Sequence, residues 1–192
     1  MTSVGATAIL AFAAVAVYQA VVNTGTIVDP QASFTAQLAS FVSDEHRRTA
    51  VDTPEARAKF GYTDFTKLCD EVSPMLGQSP DLPTLGGDED LAFQGAAPCG
   101  VPGGGPSVHM RFFTRHGGDG HKHELSLFVQ RGTHRLDLEE GRVYSLDCPK
   151  ADVCVWREGT LVYYLVADDA HGCACFRAAL GVGEPTGVVR AK

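Results

Sequence analysis

The stretch Val153-Cys-Val-Trp-Arg-Glu-Gly-Thr-Leu-Val-Tyr-Tyr-Leu-Val-Ala167 decides the fold. Two runs rich in β-branched and aromatic residues flank Glu158-Gly159, a tight-turn signal, so residues 153–157 and 161–167 read as the two strands of an antiparallel hairpin. Upstream, residues 108–114, 124–130 and 142–147 have the same character and are separated by turn residues, which gives a mostly antiparallel sheet of about five strands. Downstream, residues 168–180 read as a closing helix ended by Gly181, with Asp168 and Asp169 as capping carboxylates at its start. The tail, residues 182–192, has no pattern and is expected to be flexible.

Two helices precede the strands. Phe34, Leu38, Phe41 and Val42 fall at helical spacing, with Ser33 as N-cap and His46 at the border of the apolar face. Phe65, Leu68, Cys69, Val72 and Leu76 do the same over residues 64–76. Thr53-Pro54-Glu55 starts a loop or a short helix. Helices, then a run of strands, then one helix make an α+β domain over residues 34–181, joined by a polar linker, residues 23–33, to what lies before it.

That preceding segment, residues 4–22, holds no charged side chain. At about 1.5 Å rise per residue it spans roughly 28 Å, close to the hydrocarbon thickness of a bilayer. A cleaved signal peptide needs a basic start and a small-residue cleavage site, and Met1-Thr2-Ser3 and the residues after the run supply neither. A transmembrane anchor is the expectation. The six cysteines (Cys69, Cys99, Cys148, Cys154, Cys173, Cys175) suit an oxidising compartment, which places the domain outside the cytoplasm, on a single-pass anchor. Cys148 and Cys154 flank a Pro149-containing turn and are the expected disulfide; Cys173 and Cys175, two apart on a helix, point away from each other. A net charge of −7 repels phosphate backbones and argues against a nucleic-acid partner.

Chemistry concentrates around Cys99-Gly-Val-Pro-Gly-Gly-Gly-Pro-Ser-Val-His109. Its glycines precede a strand and no Lys-Ser/Thr follows, so the run is a turn feeding residues 108–114 into the sheet and not a phosphate loop. Cysteine and histidine are ligands for zinc or copper, and His46 on the first helix is a third candidate beside Cys99 and His109. No nucleophile–base–orienter set emerges, so an enzyme is not expected. The loop His116-Gly-Gly-Asp-Gly-His121-Lys-His123 reads as a solvated link between strands.

Four segments occur in a telling order: Asp44-Glu-His46-Arg-Arg-Thr49, Cys99 with His109, Leu125-Ser-Leu-Phe-Val129, and residues 155–168 ending in Val166-Ala-Asp168. Together they resemble the extracytoplasmic domain of bacterial single-pass transmembrane anti-sigma factors and related membrane regulators. The resemblance covers about residues 4–181. It implies a membrane-anchored regulator with a sensory or partner-binding domain, and a sigma factor or separate regulatory protein as partner. It also implies His-x-x-Cys on the first helix, where this chain has Thr49. The ligand set is thereby reduced to His46, Cys99 and His109, fewer than the four of a structural zinc. The family's zinc-binding, sigma-holding domain precedes the span; here only Met1-Thr2-Ser3 does, so that part is expected upstream of this start or on another polypeptide, unless the chain is a stand-alone sensor. An exported metal-binding or thiol-redox module using the same three residues is the alternative.

Overall fold

A computed structural model describes residues 30–50, 53–82, 91–115, 122–132 and 135–189. Helix α1 (Pro30–Ala50), a short α2 (Pro54–Lys59) and α3 (Phe65–Leu76) precede strands β1 (Leu91–Cys99), β2 (Ser107–Arg115), β3 (Lys122–Arg131), β4 (Val143–Leu146), β5 (Asp152–Glu158) and β6 (Leu161–Ala167); α4 (Ala170–Ala179) follows. The sheet is antiparallel throughout, in the order β1-β2-β3-β6-β5-β4. The α+β class and the β5–β6 hairpin agree with the sequence reading.

The sheet has six strands, one more than expected. The extra strand, β1, contains Ala92, Gly95, Ala96, Ala97 and Pro98, residues poor in intrinsic strand preference. It forms because β2 offers a full partner, and it sits at an edge, where a proline is tolerated. Gly95 adopts φ 144° at a bulge, and a Cβ there would lie 2.8 Å from Phe60 Cβ. Both sheet edges are partly covered. Tyr62 exchanges backbone hydrogen bonds with Ala96 at 3.1 and 2.8 Å. On the far side Ser145 donates to Gly187 O and accepts from Val189 N, each at 2.8 Å. The tail through Val189 is therefore part of the domain, correcting the expectation of a flexible end at residue 182: its backbone supplies partners that β4 would otherwise lack.

The central strands are buried on both faces, giving three layers. On one face α3 and α4 bring Leu68, Val72, Leu76, Cys173 and Phe176 against Val108, Met110, Phe112, Leu125, Leu127, Tyr163 and Leu165. On the other, α1 brings Phe34, Leu38 and Val42 against Phe128, Val155, Tyr164 and Val166. Trp156 and Tyr163, registered across β5 and β6, stack at 5.0 Å. Asp64 caps α3 by accepting from Thr66 N, and the Gly77 N–H closes its other end on Ser73 O. α1 begins at Pro30, so Ser33 lies within the helix and not at its cap. Among the described residues no helix is long and apolar enough to cross a membrane. Residues 4–22, the expected anchor, lie outside the described residues, as does the 116–121 part of the histidine-rich loop.

Candidate functional site: a buried histidine–serine–histidine row

Under α1 the apolar layer is interrupted. The spacing that turns Leu38 and Val42 inward brings His46 to the same side one turn later, and it is 1% exposed. On β2 the alternation that sends Val108 and Met110 to the opposite face sends His109 toward α1, 0% exposed. Ser126 on β3 shares that face with Phe128 and is 1% exposed. Its hydroxyl sits between the two imidazoles, 2.9 Å from His46 Nδ1 and 2.8 Å from His109 Nε2. His109 stacks on Phe128 at 4.1 Å and meets the edge of Phe60 at 5.1 Å, which fixes its ring plane.

A carboxylate faces each outer end. His46 Nε2 lies 3.4 Å from Asp168 Oδ1, on the residue that follows β6, and His109 Nδ1 lies 3.7 Å from Glu45 Oε1, on α1. Neither outer nitrogen makes a hydrogen bond, although both are buried. Glu45 is further paired with Lys59 and Arg48. The His109 imidazole facing it, followed by those cations, holds the Glu45 carboxyl far below its usual range against the effect of burial. Burial lowers both histidines: His109 falls to about 4, opposed by Glu45, and His46 falls against the pull of Asp168. Of the two expected capping residues, Asp169 caps α4 by accepting from Gly172 N at 2.7 Å, whereas Asp168 turns to His46.

The row is one proton short. For all four contacts to be hydrogen bonds, two at the hydroxyl and one at each carboxylate, four hydrogens would be needed. Two neutral imidazoles and one hydroxyl supply only three. One of the four contacts therefore always lacks its hydrogen, either at the hydroxyl or at a carboxylate. The order Ser126–His109–Glu45 matches a nucleophile, base and orienter. At 0–1% exposure, however, no substrate reaches the Ser126 hydroxyl without displacing α1.

Cys99 is placed differently from the two histidines. It pairs in register with Ser107, two residues from His109, and its Sγ contacts Ser107 Oγ at 3.3 Å. Burial pushes its thiol up. Ser107 accepts from Val101 N and donates to Cys99 O, while Gln130 Nε2 donates to Val101 O and Gly104 O, so the run between β1 and β2 is a pinned turn. Gly103, Gly104 and Gly105 all have positive φ there (111°, 84° and 83°), which explains the glycine run. The inner histidine nitrogens are committed to Ser126 and the outer ones point to opposite ends of the row. Among the described residues no group of three or more His, Cys, Asp or Glu side chains is disposed to hold one ion. Thr49, standing where the resemblance implies cysteine, is 0% exposed and returns its hydroxyl to Glu45 O and His46 O within α1.

The expected Cys148–Cys154 disulfide is not formed. Cys154 is registered opposite Ser145, not Cys148, and packs in the α3/α4 layer. Cys148 packs in the α1 layer, with Sγ 3.8 Å from Ala39 O. The two sulfurs belong to opposite faces of the sheet. Cys154 instead meets Cys173.

Comparison of the chain with protein-family models, with curated proteins and with solved structures returns no match.

Proposed function

We propose that this chain is a membrane-anchored regulatory protein of the anti-sigma-factor kind, with its α+β domain outside the cytoplasm and α1 as the element that links the domain to its anchor. The sequence supports this through the apolar run at residues 4–22, the cysteine content and the ordered set of motifs. One structural observation carries it: α1, the first described helix after that run, meets the sheet through Glu45, His109, Ser126, His46 and Asp168 and not through apolar contacts alone. Two apolar side chains would hold a helix at least as firmly as buried polar groups. A buried polar row is a latch, firm when its hydrogen bonds are complete and weak when one is lost. A signal or partner that favours the released α1 would shift the domain between two states. The partner is a sigma factor or a separate regulatory protein.

Paired reporter fusions after Lys192 test the reading. Alkaline phosphatase is expected to be active and a cytoplasm-dependent fluorescent reporter dark; the opposite pattern rejects it.

A metal-binding or thiol-redox module built on His46, Cys99 and His109 competes with this reading, and the buried, unpartnered His46 Nε2 and His109 Nδ1 favour it. A zinc or copper ion shared by both rings would have to displace the Ser126 hydroxyl. Metal analysis of the reduced protein separates the two: stoichiometric metal, lost in His109→Ala and Cys99→Ser, would replace the polar latch by a metal centre.

A further inference from the structure

On the opposite face of the sheet, Cys154 of β5 and Cys173 of α4 bring their sulfurs to 3.1 Å. They are 5% and 3% exposed, and both line a cleft of about 570 Å³. Arg177 lines it too, one turn beyond Cys173 on α4. Its Nη1 donates to Gly183 O at 2.7 Å and its Nη2 to Glu184 Oε2 at 2.8 Å, while its Nε is buried and has no hydrogen-bond partner. A buried guanidinium beside two thiols favours the thiolate, the form that attacks disulfides. A cation would be repelled by Arg177, and no third His, Cys, Asp or Glu ligand joins the two sulfurs among the described residues. Either thiol can donate to the other across this contact, so one sulfur gains thiolate character at the other's expense.

We propose that Cys154 and Cys173 form a reversible dithiol–disulfide site, oxidised through this cleft by low-molecular-weight disulfides. One of the two, as its thiolate, attacks one sulfur of the external disulfide, forming a mixed disulfide and expelling one thiolate. The other cysteine then loses its proton and attacks the protein-side sulfur of the mixed disulfide, which forms the Cys154–Cys173 bond and expels the second thiolate. The protein loses two electrons and two protons, and the external disulfide becomes two thiols. The new bond ties α4 to β5. A cleft of this size admits a small disulfide. The site is independent of the membrane reading.

The full chain in detergent is equilibrated with glutathione disulfide, denatured, alkylated with N-ethylmaleimide and mapped by peptide mass spectrometry. A Cys154–Cys173 linked peptide that disappears with dithiothreitol is expected, with a Tm gain of about 5–10 °C in the oxidised form. Alkylation of both residues in excess glutathione disulfide, or linkage of either to Cys148 or Cys175, would overturn the proposal. The wild-type map needs no variant to fold. In the single variants Cys173→Ser and Cys154→Ser the intramolecular bond cannot form, and a glutathione adduct is expected on the remaining thiol of at least one. An adduct on neither would overturn the proposal.

Discussion

Ser126 is the residue on which the α1 interface turns, because one hydroxyl serves two buried imidazoles. Ser126→Ala leaves His46 Nδ1 and His109 Nε2 without partners, and a buried polar atom without one costs about 1–3 kcal/mol. Denaturant unfolding should show a loss of at least about 2 kcal/mol; a change below about 0.5 kcal/mol would mean the hydroxyl is dispensable. Acid should act on the same row. His109 is lowered from its ordinary 6.5 to about 4, so the unfolded chain binds its proton first. Stability is full above pH 6.5 and falls as pH drops toward 4, by up to about 3 kcal/mol at roughly 1.4 kcal/mol per unit. Glu45, held far below its usual range, adds its own loss only below about pH 4.5. His109→Gln should flatten the slope between pH 6.5 and 4.5; an unchanged slope would assign it to another group. The two histidines were legible in the sequence as chemistry-bearing residues near apolar positions. Ser126 was legible only as a polar interruption in Leu125-Ser-Leu-Phe-Val129, and its role depends on the register that sets β3 between β2 and β6.

Helix faces and the strands with strong residue preference follow from spacing alone: Phe34, Leu38 and Val42 are buried as predicted, and residues 161–167 form β6 with the expected bounds. β1 escaped detection because its alanines, glycine and proline carry no strand signal; its partner β2 makes it a strand. The Cys154–Cys173 approach was equally hidden, since it arises from α4 crossing β5 and neither segment encodes it locally. β1 also steadies the polar row. Gly95 at φ 144° leaves room for Phe60, whose edge packs on His109. Gly95→Ala would set a Cβ 2.8 Å from Phe60 Cβ in a conformation unfavourable to L-residues. A stability loss of about 1–3 kcal/mol is expected in thermal or denaturant unfolding, with no loss if the bulge and Phe60 move together without strain.

At the scale of the molecule, the sheet separates two devices. The polar row lies on the α1 face and the dithiol on the α4 face, and Asp168-Asp169 connects them by giving one carboxylate to His46 and the next to the α4 cap. At this scale the row is what holds α1 to the sheet. Hydrogen–deuterium exchange comparing the wild-type full chain with Ser126→Ala tests it most directly. The α1 amides of the variant are expected to exchange at least about tenfold faster while β2, β3 and β6 keep their protection. Unchanged protection of α1, or equal loss across the sheet, would contradict it.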